Sequence, residues 1–213
     1  MKVADLIQTG LDHFSFTFGD DVVSKSTAFI EQLCRWNQVY NLTAVQAPEK
    51  MVVQHLLDSL SIAPFIGGSS IIDVGSGAGL PGIPLAILYP AKNFILLDSN
   101  GKKTRFMTQA VIDLELENVA VVQERVEQYQ GKKFDHVLCR AFASLETIAD
   151  SVSHLLRTQG NVLAMKGKQD HDTELGLDAC LQVSRVIPIE VPLLGAKRCL
   201  VELKYRETRV SRG

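Results

Sequence analysis

The residues with the clearest chemical pattern are an aspartate and three glycines that follow an apolar run. Asp73 ends the run, and Gly75, Gly77 and Gly79 come after it at alternate positions. Glycine lets a ligand approach the backbone closely, because no Cβ stands in the way. A prolyl, apolar segment comes next and is typical of a helix, whose first turn offers free N–H groups and a partial positive charge. This strand–turn–helix pattern predicts a cradle for a nucleotide-like cofactor.

The spacing of the glycines distinguishes between two kinds of cofactor. Dinucleotide-binding folds hold a pyrophosphate with G-x-G-x-x-G, and the third glycine position of that motif is Leu80 here. Asp73 precedes the first glycine by two positions, where it would repel a pyrophosphate and suit a ligand with a cationic amino-acid end. S-adenosylmethionine carries an ammonium and a sulfonium but no phosphate, so the pattern favours this cofactor.

A second acidic residue ends the next apolar segment. Residues 93–97 read Asn-Phe-Ile-Leu-Leu, which is typical of a buried strand, and Asp98 follows them. An acid at the end of the second strand, roughly 20 residues past the glycines, typically holds ribose hydroxyls. Asp98 is therefore the predicted ribose ligand.

The composition is that of an ordinary globular protein. The 213 residues are 46% hydrophobic and 22% charged, with a formal net charge of −2. No apolar run reaches transmembrane length, and the first residues lack the apolar core of a signal peptide, so we expect no membrane association. The four cysteines and five histidines are dispersed. This favours reduced thiols in the cytoplasm and argues against a metal site.

Positive charge is local in this chain. It is concentrated at residues 102–105, at residues 166–168 and in the segment from 197 to the end. A local basic face could contact phosphates. A solvated surface explains each cluster equally well when the cluster is taken alone.

The order of the elements predicts an α/β fold. Apolar residues recur at helical spacing in the first sixty or so residues, and a Gly-Gly-Ser-Ser break follows at 67–70. Strand and helix patterns then alternate, which implies a mostly parallel seven-stranded sheet with helices on both faces and ligands at the carboxyl ends of the strands. The last two strands, 183–191 and 199–204, are expected to be antiparallel. We expect a helical extension, residues 1–66, packed on one cofactor-binding core, residues 67–213.

Further motifs occur in a fixed order between about residue 25 and about residue 204. They are WNQVYNLTAV (36–45), HLLDSL (55–60), the glycine motif (71–86), LLDSNGKKTRF (96–106), Arg-Val-Glu (125–127), CRAFASL (139–145), AMKG (164–167) and the Arg198 region. The chain resembles the RsmG (GidB) family of bacterial 16S ribosomal RNA guanine-N7 methyltransferases, which are class I enzymes with a Rossmann-like fold. The glycine motif is typical of the whole superfamily, whereas WN-x-x-YNLT and RAFASL are far more specific.

The resemblance implies roles for individual residues. Gly75 and Leu80 would line the methionine part of the cofactor, Asp98 would face the ribose, Val126 and Glu127 would border the adenine, and Arg140 would lie between cofactor and substrate. Asp73, Gly77 and Gly79 complete the expected cofactor-binding set. Arg125, Lys166 and Arg198 match basic positions of the family and are the candidates for contact with RNA.

The activity that the resemblance implies is methylation of guanine N7 in 16S ribosomal RNA, within the 30S subunit, by S-adenosylmethionine. N7 carries an in-plane lone pair and no proton, so attack on the sulfonium methyl needs no general base, and near-linear placement of N7, methyl carbon and sulfur can suffice. We therefore name no catalytic base. Three alternatives stay open: a small-molecule methyltransferase, a nicotinamide-dependent oxidoreductase, which Asp73 and Leu80 disfavour, and a non-catalytic ribosome-assembly factor.

Two residue pairs in the N-terminal region have a less specific pattern. His55 and Asp58 are three residues apart, a spacing that can suggest acid–base chemistry, but hydrogen bonding within the fold is the interpretation we favour. Trp36 and Tyr40 share a helical face, and core packing is favoured over stacking on a base.

Overall fold

A group of N-terminal helices precedes an alternating α/β unit in the computed structural model, which describes residues 2–140, 144–167 and 180–206. The helices are α1 (Val3–Leu11), α2 (Val22–Tyr40), α3 (Pro48–Met51), α4 (Asp58–Leu60), α5 (Gly82–Leu88), α6 (Gly101–Asp113) and α7 (Leu145–Val152). A π-helical segment, Val52–Leu57, joins α3 to α4, and short 3-10 turns lie at Ala63–Phe65, Val126–Gln128 and Ser153–Leu155. No helix in these ranges is long and apolar enough to cross a membrane.

Seven strands form one sheet. They are β1 (Ser70–Val74), β2 (Asn93–Asp98), β3 (Val119–Gln123), β4 (Phe134–Arg140), β5 (Leu156–Lys166), β6 (Leu181–Ile189) and β7 (Arg198–Tyr205), in the order β3-β2-β1-β4-β5-β7-β6. The first five strands are parallel, and β7 runs antiparallel to both β5 and β6. The predicted mostly parallel seven-stranded sheet and its antiparallel last strands are confirmed.

Alternate residues of the central strands supply two hydrophobic layers. Ile71 and Leu96 lie in the layer that contains the N-terminal helices, α5 and α6, whereas Ile72 and Leu97 lie in the layer that contains α7. Because both faces are covered, β1 is buried along its whole length, as expected of a parallel strand in an α/β fold. The helices therefore cover both faces of the sheet, as the sequence predicted.

The N-terminal helices belong to the first of these layers. Phe29 of α2 lies 6.2 Å from Phe106 of α6 between ring centroids, and Trp36 lies 5.7 Å from the same ring in an edge-to-face arrangement. Trp36 also contacts Tyr40, with ring centroids 5.2 Å apart. These contacts confirm that the aromatic pair packs on the core.

Some element boundaries differ from the sequence-based prediction. The sequence pattern predicts one helix from Pro48 to near Pro64, and the π-helical segment interrupts it. The apolar run at residues 161–165 predicts the fifth strand, and β5 begins earlier, at Leu156, because Leu156 pairs with Phe134 before an irregularity in the ladder. The sequence pattern predicts a helix over residues 145–156, whereas α7 ends at Val152 and a 3-10 turn, Ser153–Leu155, follows it. The sequence pattern also predicts that a short helix starts at residues 173–177, which lie outside the described residues. Residues 141–143 of the RAFASL motif, Lys168 and the basic tail beyond 206 lie outside them as well.

Candidate functional site

The glycine turn follows β1 directly and is held against the end of β2. Gly75, Gly77 and Gly79 have φ values of 67°, 60° and 75°, in the left-handed region that glycine enters without steric cost. The backbone N–H groups of Gly75 and Ser76 both donate to the carbonyl oxygen of Leu97, at 2.8 and 3.2 Å. The turn therefore depends on these glycines for its shape and on β2 for its position.

Gly82 shapes the surroundings of Asp73, and the sequence pattern did not indicate this. A Cβ there would collide with the Leu96 side chain and would lie 2.8 Å from Oδ2 of Asp73. Glycine thus lets α5 begin close to the sheet, where the Gly82 N–H donates to Asp73 Oδ2 at 2.9 Å. The need for glycine at this position comes from the packing of α5 against Leu96 and Asp73 of the sheet. The spacing of residues within the motif does not show such contacts.

Asp73 is completely buried beneath the turn. Its Oδ1 is buried and has no hydrogen-bond partner within the part of the chain that the structure describes. Burial raises the pKa of this carboxyl to about 7, against the lowering effects of the Gly82 N–H and of the charge on Arg140. A buried, under-satisfied carboxylate of this kind gains from a nearby cation and disfavours an anion. The site fits a cofactor with a cationic end.

Asp98 connects the glycine turn to the start of α6. Its Oδ2 accepts from the Gly77 N–H at 2.9 Å, and its Oδ1 accepts from the Asn100 N–H at 2.8 Å. The ammonium of Lys103 lies 3.9 Å from Oδ2. An ionised carboxylate has about four acceptor positions, so the two backbone bonds leave capacity for a ligand.

A cavity of about 380 Å³ opens at the carboxyl ends of the first three strands. It is lined by Val74, Gly75, Leu97, Asp98, Ser99, Lys103, Glu124, Arg125, Val126 and Glu127. Its size is within the range of small-molecule and cofactor sites. The cavity brings together four of the predicted cofactor-binding residues, which are Gly75, Asp98, Val126 and Glu127. We call it the cofactor cleft.

Five of the predicted cofactor-binding residues are not among those that line the cofactor cleft, and their role stays a prediction: Asp73, Gly77, Gly79, Leu80 and Arg140. Leu80 is buried in the hydrophobic layer, its N–H donates to the Ser76 carbonyl, and it is not among the residues that line the cofactor cleft. Arg125 follows β3, at the far side of the sheet from β5 and β7, and lines the cofactor cleft, and its contact with RNA stays a prediction. The order of the strands in the sheet separates Arg125 from Lys166 and Arg198, and the local sequence does not indicate that order.

Three basic residues do meet at the neighbouring part of the same edge. Arg140 ends β4, Lys166 ends β5 and Arg198 begins β7, and these strands are adjacent. We call these three residues the basic edge. Arg140 donates to Asp58 from Nη1 at 3.1 Å, and Arg198 donates to the same carboxylate from Nε at 3.0 Å. Arg140 and Arg198 of the basic edge therefore share one buried acid of the N-terminal helices.

Comparison with known proteins identifies the family. The model of the GidB family, described as rRNA small subunit methyltransferase G, matches residues 23–201. The chain belongs to this family. A ribosomal RNA small subunit methyltransferase G from Psychromonas ingrahamii is 44% identical over 205 residues, covering 96% of this chain and 99% of the relative. One from Methylococcus capsulatus is 48% identical over 201 residues, covering 93% and 97%.

Solved structures of distant methyltransferases share the fold. A SAM-dependent methyltransferase from Aquifex aeolicus has a TM-score of 0.58 at 16% identity, covering 76% of this chain and 96% of its own. The mitomycin 7-O-methyltransferase MmcR has a TM-score of 0.62 at 12% identity, covering 96% and 66%. The class I methyltransferase fold is confirmed, and family membership together with these neighbours supports S-adenosylmethionine as the cofactor.

Proposed function

We propose that this member of the family transfers the methyl group of S-adenosylmethionine to N7 of a guanine in 16S ribosomal RNA. The observation that carries the proposal is the shared strand edge. The cofactor cleft opens at the ends of β1, β2 and β3, and the basic edge occupies the ends of β4, β5 and β7. A cofactor and a phosphate-bearing substrate would therefore meet where β1 and β4 lie side by side.

The cofactor would be held by residues of known geometry. Asp98 offers its remaining acceptor positions to the ribose hydroxyls, and Val126 and Glu127 border the part of the cleft proposed for the adenine. The glycine turn, with Asp73 beneath it, would take the cationic methionine end. When bound, the cofactor supplies an electrophilic methyl group on its sulfonium. We assign Arg125 and Lys103 to the cofactor side, because both line the cleft.

The transfer requires orientation rather than proton removal. Guanine N7 attacks with a lone pair, so the protein has to hold N7, methyl carbon and sulfur nearly in line. The imidazole closest to the basic edge, that of His55, contacts Thr43 on one side and Arg140 on the other. Burial lowers the pKa of His55 to about 4. These contacts give His55 a structural role, and we propose no catalytic base.

The basic edge is the proposed contact with RNA. Guanidinium groups bind phosphates through paired hydrogen bonds, and Lys166 adds a point charge beside them. Because the chain has a formal net charge of −2, we expect weak binding to naked RNA. An assembled 30S subunit would offer several backbone contacts at once. A protein acting there would work in the cytoplasm.

The proposal is tested by methyl transfer to purified subunits. The protein is incubated with methyl-labelled S-adenosylmethionine and 30S subunits from a strain that lacks the activity, and the label is mapped by nucleotide. We expect label at one guanine of 16S RNA, and subunits that already carry the methyl group serve as the control. No label in RNA would remove the proposal. Stable binding to 30S subunits without transfer would favour an assembly factor, and transfer to small molecules alone would favour the small-molecule alternative.

A further inference from the structure

Asp58 joins three distant parts of the chain at the basic edge. It begins α4 directly after the π-helical segment, and its side chain is buried. Its Oδ2 accepts from Nη1 of Arg140, 82 residues away, and its Oδ1 accepts from Nε of Arg198, 140 residues away. One acid thus serves two guanidinium groups, so this cluster keeps a net positive charge.

The π-helical segment supplies a second acceptor for Arg140. The N–H of Asp58 bonds to the carbonyls of Val53 and His55, five and three residues back, where an α-helix would use Gln54. The Gln54 carbonyl accepts instead from Nη1 of Arg140, at 3.2 Å. The wider helical turn therefore gives the backbone a direct contact with the basic edge.

His55 supplies a third acceptor. Burial, with the neighbouring charge of Arg140, lowers the pKa of His55 to about 4, so the ring is neutral near pH 7. Its Nδ1 lies 3.4 Å from Nη2 of Arg140 and must accept, which leaves the Nε2 proton to donate to Oγ1 of Thr43 at 2.8 Å. The bonds to Gln54, His55 and Asp58 use three of the five N–H groups of the Arg140 guanidinium.

Residues of the WNQVYNLTAV motif fix the position of Thr43, which contacts His55 on the side away from Arg140. The Thr43 N–H donates to Oδ1 of Asn37 at 2.8 Å, and the Asn37 amide donates to the carbonyl of Val45 at 3.1 Å. A continuous set of hydrogen bonds thus runs from α2 through Thr43 and His55 to Arg140. The motif has a physical role that its position in an N-terminal helix did not suggest.

We propose that Asp58 is a positioning residue for the RNA substrate: it fixes the guanidinium groups of Arg140 and Arg198 at the substrate edge, with Gln54 and His55 completing the support of Arg140. The proposal rests on the proposed function. A fixed guanidinium loses less conformational freedom when it binds a phosphate or a guanine edge than a mobile one does. The N-terminal helices, which lie outside the strand–helix alternation, would contribute to substrate binding without touching RNA themselves.

Asp58→Asn changes the KM for 30S subunits in opposite directions under the two possible roles of Asp58, positioning the arginines or only neutralising them. If Asp58 only neutralised the arginines, Asp58→Asn would make the edge more positive and would lower the KM for 30S subunits. If Asp58 positions them, Asp58→Asn raises that KM at least tenfold, changes kcat less than threefold and leaves the Kd for S-adenosylmethionine within threefold. The slope of log kcat/KM against log salt concentration should also become shallower by about 1, the value expected for the loss of one phosphate contact.

Matched variants keep the test decisive if Asp58→Asn folds poorly. Thr43→Val removes the hydroxyl that faces His55 at nearly constant volume, and we expect a two- to fivefold rise in KM. Ser61→Ala removes a hydroxyl bond to the backbone carbonyl of Asp58, so it perturbs the same helix without touching the arginines. We expect Ser61→Ala to lower the melting temperature and leave KM unchanged.

The outcomes distinguish this proposal from the proposed function. If the wild-type protein does not methylate 30S subunits, the proposed function falls and the positioning role falls with it. If the wild type is active and Asp58→Asn and Thr43→Val leave its KM unchanged or lower it, only the positioning role is overturned. A rise in KM with both variants, with Ser61→Ala unaffected, supports it.

Discussion

Replacing Asp98 by alanine removes the acceptor that the cofactor cleft presents to a ribose. Each carboxylate oxygen already accepts one backbone N–H, from Gly77 at 2.9 Å and from Asn100 at 2.8 Å. Of about four acceptor positions, two remain, one for each ribose hydroxyl. A hydrogen bond to a charged group is worth about 1.5–3 kcal/mol. Losing one such bond costs about tenfold in affinity, and losing both costs on the order of a hundredfold or more.

Calorimetric titration with S-adenosylmethionine measures this loss directly. Asp98→Ala also frees two backbone N–H groups, so its melting temperature should fall. Asp135→Ala is the matched control, because Asp135 likewise accepts from two backbone N–H groups, those of Ser69 and Ser70, at 3.0 Å each, away from the cleft. We expect the control to lose stability and keep its affinity. A loss of affinity below twofold for Asp98→Ala would show that the carboxylate does not hold the cofactor.

Three further predictions concern the turn, the buried acid and the substrate. Gly75→Val should abolish detectable cofactor binding. The control Gly195→Val should cost stability only, because its φ is a similar 62° and nothing lies within 4 Å of the added Cβ. Equal Kd values for S-adenosylmethionine in the two variants would contradict this prediction. Asp73 is neutral below its pKa of about 7, so the Kd for S-adenosylmethionine should rise on the order of fivefold from pH 7 to pH 6. Asp73→Asn should show only the titration of the ligand's own amine, and an identical pH profile would refute a role for this charge. Methylation should be efficient on 30S subunits, poor on protein-free RNA and weaker as salt rises; salt-insensitive methylation of short RNA would contradict this.

The fold was predictable because its signals are local. Apolar runs of strand length alternate with helical patterns, and the glycine turn follows β1 directly. The start of β5 was harder to predict, because the residues that extend it back to Leu156 pair only with Phe134 before the ladder becomes irregular. The division into residues 1–66 and 67–213 stays a prediction.

The site was predictable only where its residues lie at strand ends next to a motif. Asp98 follows its strand directly, whereas Lys103 lies on α6 and was interpreted as part of a surface charge cluster. The acceptor role of Asp58 has no local signal, because its partners are 82 and 140 residues away. Long-range contacts of this kind depend on the order of the strands, which spacing does not reveal.

The measurement closest to the central claim maps the methyl group on the RNA base itself. 16S RNA from subunits treated with the protein and S-adenosylmethionine is reduced with borohydride and cleaved with aniline, a treatment that breaks the chain at N7-methylguanine. We expect cleavage at one guanine in treated subunits and none at that position in untreated subunits or in subunits treated with Asp98→Ala at limiting cofactor. Label incorporated into 16S RNA without cleavage at any guanine would contradict methylation at N7, and absence of label would contradict methyl transfer to this RNA.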